Sequence, residues 1–425
     1  MNRITLATQT LESNLRECVR RRSRQVRVPA TVSRWADGTE VIAVPGTVWS
    51  NESLILSLSD DPVPSALQSM GCVGVLQVGC RSRLGAASGW ILGAGSQMIE
   101  AQVLKLVGPG MFTIPLTPNC SARNHNPEGA ERWSRTIGAL GIDVWERLTG
   151  LRYAVVGVGR TGSFVAASLV RVGARNLVLI DPDVVEEHNL GEMEGIGPED
   201  VGRLKVEAVA SVLQRIDPKA DVAKVRASIT QLSGVSEAAE ADVIFCCVDN
   251  DGARIATAAA AALFCRVLVD IASGVHGRGS LRIMGADVRL LLPGRCLLCF
   301  GGIRDESAAM RVLESADGER EFQASRDWQR ERAGSVASLN QCAVALGMRL
   351  LEDLVGERVA ESVWVRLEFD ASGRPSIVFP EAERPLGEGR CPLCGLSGFG
   401  FSGLEQVRAL LAQQWLWRFG AGETA

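Results

Sequence analysis

Lys205 and Asp249 carry the most specific chemistry in the sequence, because both follow a glycine-rich turn at spacings suited to a bound polyphosphate. Residues 152–189 read RYAVVGVGRTGSFVAASLVRVGARNLVLIDPDVVEEHN. The pattern predicts an apolar strand over Tyr153–Val156, the turn Gly157-Val158-Gly159-Arg160-Thr161-Gly162, a helix continuing from Ser163, and a second strand over Leu177–Ile180 that ends at Asp181. In such a turn one glycine permits the tight bend, one lets the backbone approach phosphate and one packs helix on strand. Backbone N–H groups at the helix start then face phosphate, and Asp181 is placed to accept hydrogen bonds from ribose hydroxyls. Taken alone, such a turn serves NAD, FAD and ATP equally.

The residues that follow narrow the choice. Asn189 lies eight positions after Asp181, Gly202-Arg203-Leu204-Lys205 comes next, and Cys246-Cys247-Val248-Asp249-Asn250 closes another apolar strand. Hydride transfer needs neither a lysine nor a second strand-end carboxylate here. Attack on the α-phosphate of ATP uses both: the ammonium neutralises charge growing on phosphoryl oxygens, and the carboxylate holds Mg²⁺ beside them. The 45 basic residues comprise only four lysines, at 105, 205, 219 and 224, and 41 arginines, so general abundance does not account for Lys205. The competing reading is a solvated lysine on a helix.

On these residues the segment resembles the ThiF/MoeB/HesA family, the adenylating core of ubiquitin-activating-type enzymes. The resemblance covers about residues 130–395. It implies adenylation of the C-terminal glycine carboxylate of a ubiquitin-like protein, with release of pyrophosphate. Arg132-Trp133-Ser134-Arg135 is similar to the family's RYSRQ motif, whose second arginine reaches into the neighbouring subunit's ATP site. That role falls on Arg135, and a homodimer is implied. Further roles fall on Asp181 for ribose, on Asn189 as the asparagine of NLxR, on Lys205 for phosphate and on Asp249 for Mg²⁺, with Gly157, Gly159, Gly162 and Asn250 completing the nucleotide site.

One position departs from the family. Where it has arginine after NLx, this chain has Glu192, and a carboxylate does not stabilise phosphate charge. Arg160, at a turn position usually held by glycine, is a candidate replacement; a solvent-facing Arg160 is the alternative.

Twelve cysteines in a chain of 425 residues, read without a secretion signal, do not suggest a disulfide framework. Cys296-Leu297-Leu298-Cys299 and Cys391-Pro392-Leu393-Cys394 are CxxC pairs, each able to offer two thiolates to one tetrahedral Zn²⁺. The long separation exceeds ordinary zinc-finger spacing, but relatives carry split CxxC pairs, the first just after a strand end like Leu291-Leu292-Pro293-Gly294. Four thiolates leave no open position for water, so the expected zinc is structural. Cys246, Cys247 and Cys265 are expected to be buried and inert.

Relatives divide on whether a covalent intermediate follows adenylation. Residues 301–333 are rich in charge and suit a crossover loop, and an apolar helix is expected from there to about Leu354. The ubiquitin-fold-modifier-activating enzymes have a similar stretch, GVCAASLP, whose catalytic cysteine falls on Ser335, and no cysteine lies between Cys299 and Cys342. Three readings of Ser335 stay open: acyl acceptor giving an oxyester, engineered replacement of cysteine, or helix N-cap. Cys342, the rival nucleophile, lies near the stripe Leu339, Ala343, Leu346, Leu350 and is expected to be buried.

Composition fits an enzyme of this kind. The chain is 46% hydrophobic and 22% charged with net charge −4, and so has no global pull toward nucleic acid or an anionic membrane. No apolar run reaches the ~18 residues of a membrane helix, and the basic run Arg20–Arg24 has no signal core behind it. A cytoplasmic protein is expected; the arginine excess suggests a GC-rich, bacterial genome. The three histidines, 125, 188 and 276, support neither a His-rich metal centre nor a protease triad.

The expected fold is α/β: a doubly wound Rossmann-like adenylation domain with a structural zinc, preceded by a strand-rich mixed α/β domain. The boundaries are 1–125 for a domain of unassigned role, 126–395 for the adenylation domain with its crossover loop at 301–335, and 396–425 for a helical tail. Short strands are expected at Val41–Val44, Leu54–Leu58, Val73–Val78 and Gln102–Val107, a linker at 119–127, and a late strand at Ser362–Asp370 pairing with Pro375–Phe379. The expected cofactors are ATP, Mg²⁺ and Zn²⁺, and the expected partners a ubiquitin-like protein and a carrier enzyme of conjugation, with antiviral defence one setting. The alternatives are a sulfur-carrier adenylyltransferase without covalent intermediate and a nucleotide-binding pseudoenzyme.

Overall fold

The computed structural model describes residues 2–21, 25–35, 38–43, 53–58, 72–78, 87–92, 97–116, 131–276, 282–303, 336–381, 391 and 393–403. Ser335, most of the expected crossover loop, the 119–127 linker with His125 and the tail beyond 403 lie outside the described residues.

Within the described residues the chain folds around two sheets. The second in sequence positions the candidate site. It is built from α2 (Ser134–Leu140), α3 (Ile142–Gly150), β10 (Arg152–Val156), α4 (Arg160–Val172), β11 (Asn176–Ile180), α5 (Lys205–Ile216), β12 (Asp221–Val225), α6 (Leu232–Glu240), β13 (Val243–Cys246), α7 (Asp251–Leu263), β14 (Val267–His276), β15 (Ile283–Leu291), α8 (Ala337–Val355), β16 (Val363–Phe369) and β17 (Pro375–Val378). The strand order is β12-β11-β10-β13-β14-β15-β16-β17. The first five strands are parallel and the last three add antiparallel.

A parallel sheet is covered on both faces, so its strands are apolar at every position. Tyr153 and Val155 of β10 face one core with α4, α5 and α8, while Ala154 and Val156 face the other with α6 and α7. β11 and β13 divide in the same way: Leu177, Leu179, Val243 and Phe245 on the first face, Val178, Ile180, Ile244 and Cys246 on the second. Strand order reverses between β10 and β13, and in an open α/β sheet the crevice beyond the carboxyl ends at that point is where ligands bind.

The first sheet comprises β1 (Arg3–Ala7), β2 (Gln25–Trp35), β3 (Gly38–Ala43), β4 (Ser53–Leu58), β5 (Cys72–Val78), β6 (Ala87–Leu92), β7 (Met98–Glu100), β8 (Val103–Val107) and β9 (Phe112–Pro115), with α1 (Thr8–Arg21) after β1. Its order is β7-β6-β5-β4-β2-β3-β1-β8-β9. The two sheets meet through an aromatic trio: Trp35 of β2 lies 5.2 Å from Phe264 and 4.8 Å from Phe401, centroid to centroid.

Two local expectations need correction. The helix after the glycine turn starts at Arg160, not Ser163, because Gly159 already occupies its N-cap position. Cys342 is exposed, not buried. The buried stripe of α8 runs through Leu339-Asn340, Ala343-Val344, Gly347-Met348 and Leu351, which turns position 342 toward solvent. Cys246 and Cys265 are buried as expected, and burial pushes each thiol up to about 12, whereas Cys247, also expected to be buried, is half-buried. Near the end of the described residues lie two 3-10 turns, Cys394–Leu396 and Gly400–Ser402.

Candidate nucleotide and metal sites

The glycine turn follows β10 at the switch point. Gly157 has φ +80°, in the left-handed region that favours glycine, and a Cβ there would lie 2.8 Å from the Cys247 carbonyl oxygen. A Cβ on Gly162 would overlap the Gly157 carbonyl oxygen, so β10 and α4 pack backbone to backbone. A Cβ on Gly159 would meet nothing within 4 Å: the space beside the start of α4 is open.

Asp181, at the end of β11, is 5% exposed and holds the turn. Its Oδ2 accepts from the Val158 N–H at 2.7 Å and its Oδ1 from the Asp183 N–H at 2.9 Å. Burial raises its pKa, and the nearby Lys205 opposes that shift. Each oxygen keeps a lone pair for a further donor.

Lys205 opens α5 and sits among carboxylates. Its backbone N–H donates to the Asp183 carbonyl at 3.0 Å and its Nζ to Asp183 Oδ2 at 2.9 Å. Burial pulls the ammonium pKa down, but the charges of Asp181, Asp183 and Asp249 outweigh it, and the net shift is upward. Lys205 therefore stays charged. Asp249, exposed in the turn between β13 and α7, acts on it from across the switch point. Asp183 was missed in the sequence, although the Asp-x-Asp spacing was its signal: residues two apart in an extended segment share a face.

Asn250 and Asn189 spend their side-chain carbonyls on the backbone. Asn250 Oδ1 accepts from the Ala253 N–H at 2.7 Å and caps α7, while Asn189 Oδ1 accepts from the Glu186 N–H at 2.9 Å. Among the described residues neither amide NH₂ group has an acceptor. Arg160 and Glu192 form an ion pair, Nη1 to Oε2 at 3.5 Å. Arg135 is exposed on α2, a helix with no buried residue, and none of the described residues pairs with it. His188 is exposed and lies 3.2 Å from Glu186.

The two CxxC pairs come together. All four Sγ atoms of Cys296, Cys299, Cys391 and Cys394 lie within 4.8 Å of one another. The Sγ–Sγ distances are 3.6 Å for Cys296–Cys391 and Cys299–Cys394, 3.9 Å for Cys296–Cys299 and 3.2 Å for Cys296–Cys394, around the ~3.8 Å edge of a tetrahedron with 2.3 Å Zn–S bonds. The donor set and its dimensions fit Zn²⁺ with no place for water. A buried network ties this knuckle to the sheet. Arg289 of β15 donates to the Phe300 carbonyl at 2.7 Å, to the Gly301 carbonyl at 3.0 Å and to Asp270 Oδ2 at 3.0 Å. Asp270 also receives Arg254 Nη2, from α7, at 2.5 Å.

Parts of the chain are similar to known proteins. Residues 133–311 match the ThiF family. The chain is 34% identical over 127 residues to ubiquitin-like modifier-activating enzyme 5 of Aedes aegypti, covering 27% of this chain and 32% of that one. Against the enzyme of the same name from Xenopus laevis it is 31% identical over 172 residues, 37% of this chain and 42% of that one. The matches thus span less than half the length of these relatives. Among solved structures, E. coli MccB with ATP superposes with a TM-score of 0.46 at 19% identity, covering 67% of this chain and 77% of that one. The likeness to the ThiF family thus rests on residues 133–311, the stretch that holds the glycine turn, Asp181, Lys205 and Asp249.

Proposed function

We propose that the chain uses ATP to adenylate the C-terminal carboxylate of a ubiquitin-like protein. The observation that carries this reading is the setting of Lys205: a charged ammonium held among Asp181, Asp183 and Asp249 at the mouth of a glycine turn with open space beside it. A carboxylate oxygen of the partner forms a bond to the α-phosphorus, the bond from that phosphorus to the bridging oxygen breaks, and pyrophosphate leaves. Lys205 neutralises charge growing on the phosphoryl oxygens, Asp181 takes the ribose, and the N–H groups of the turn, together with Asn189 and Asn250, line the nucleotide. Asp249 would hold Mg²⁺, which supplies further charge neutralisation there. Arg135, free of partners among the described residues, acts in the site of a second copy in a homodimer.

Transfer of the acyl group from the adenylate to the Ser335 hydroxyl, giving an oxyester and AMP before delivery to a carrier enzyme, extends the reading. It rests on the sequence alone.

ATP–pyrophosphate exchange, measured with candidate ubiquitin-like proteins, tests the first step. Exchange should require the partner's C-terminal glycine, and Lys205→Met should lower it by about 10²–10³-fold. Exchange that survives Lys205→Met removes this assignment, and nucleotide binding without exchange for any partner favours the pseudoenzyme. An adduct that resists thiol reductant, yields to hydroxide and vanishes in Ser335→Ala supports the oxyester; an adduct that persists in that variant removes it.

A further inference from the structure

The Arg160–Glu192 pair sits where a carboxylate alone would be a liability. Arg160 is the first residue of α4, directly after Gly159, whose side faces open space. Glu192 belongs to a loop strapped to the same helix: the Glu194 N–H donates to Ser163 Oγ at 3.0 Å, Glu194 pairs with Arg171 at 2.6 Å, and the Glu192 N–H closes a turn onto the Asn189 carbonyl at 3.0 Å. The backbone that carries Glu192 is therefore held against the helix. Its contact with the guanidinium is single, Nη1 to Oε2 at 3.5 Å, with the side chains 38% and 30% exposed. Arg160 has no other partner among the described residues, so most of its five N–H donors stay free to fork around an anion.

We propose that Glu192 is a positioning residue that holds the Arg160 guanidinium over the mouth of the turn, so that the pair reads the phosphate charge of ATP and not the nucleoside. This rests on the reading that the turn binds ATP. Glu192 then has two opposed effects on a triphosphate: it repels the anion directly and it orients the cation that attracts it. In the native pair, orientation dominates.

The opposed effects give a test with a sign. Binding of MgATP and of adenosine to the full chain is measured by calorimetry for Arg160→Ala, Glu192→Gln and the double variant. Both residues are partly exposed, and thermal unfolding without nucleotide checks that each variant folds. Arg160→Ala should weaken MgATP by about tenfold or more and leave adenosine within about twofold. Glu192→Gln should weaken MgATP when Arg160 is present and strengthen it when residue 160 is alanine. Strengthening in both backgrounds makes Glu192 a repulsive bystander and overturns the proposal, as does an Arg160→Ala variant with unchanged MgATP affinity. A native chain that binds neither ligand fails at the earlier step, the nucleotide site itself.

Discussion

At the scale of single residues, the glycines of the turn separate fold from function. Gly162 has no room for a Cβ against the Gly157 carbonyl, whereas Gly159 faces open space. Gly162→Ala should therefore destabilise the protein by about 3 kcal/mol, a cost of forcing backbone apart in a packed core, seen as a lower unfolding midpoint in urea. Gly159→Ala should leave that midpoint nearly unchanged and weaken MgATP binding, because its methyl group would fill the approach to the helix start. Equal destabilisation by both variants contradicts this division. Type and spacing single out Gly157, Asp181, Lys205 and Asp249 in the sequence, and the structure brings the three charged groups together at the glycine turn. Asp183 and the Arg160–Glu192 contact were not readable there, since each depends on how a loop returns to its helix.

Elements were legible where both faces of a sheet are covered. β10 and β11 are continuous apolar runs and fall within a residue or so of expectation, as do β16 and β17, while the apolar strand expected to close at Cys246–Asn250 is β13, which ends at Cys246. In the first sheet, β3, β4, β5 and β8 carry the anticipated strands, while α1, β1, β2, β6, β7 and β9 were not anticipated. β2 shows why: arginines and a proline interrupt its alternation, and its two halves pair with different strands, Gln25–Pro29 with β4 and Ala30–Trp35 with β3. The cysteine knuckle was readable as two pairs; that Arg289 and Asp270 fasten it to α7 was not, because buried ion pairs across elements leave no local pattern. We expect one Zn²⁺ per chain by elemental analysis. Cys391→Ser should lose it, and the unfolding temperature should fall by roughly 2–4 °C for each kcal/mol the metal contributes. A metal-free native protein with the same unfolding temperature would rule out a structural zinc.

At the scale of the molecule, the two sheets are joined by charges buried between them. Glu40 of β3 and Arg266, just before β14, are fully buried and meet at 2.9 Å. Arg3 Nε reaches the same carboxylate at 3.1 Å while its two Nη atoms grip Glu240 at 2.7 and 2.8 Å, and Lys105 of β8 pairs with Asp242 at 2.7 Å. The pairs that cross between the sheets, Glu40–Arg266, Arg3–Glu240 and Lys105–Asp242, join residues more than 100 positions apart and give the sequence no sign of this joint. Burial alone would raise the Glu40 pKa; Arg266, Arg3 and Lys105 overcome it and hold the carboxyl at about 2, below the ordinary glutamate value of 4.5. Because the folded value lies below the unfolded one, this stabilisation is fully present above pH 4.5 and is lost as pH falls from there toward 2. Arg266→Met removes the largest opposing charge and leaves a carboxylate buried without its main partner. It should cost about 3–5 kcal/mol at neutral pH and move the acid-unfolding limb to higher pH. Adding Glu40→Met should restore much of that loss, since two apolar side chains carry no desolvation cost. If acid unfolding of Arg266→Met follows the native curve, Glu40 is not what the falling pH titrates and the joint does not depend on this pair.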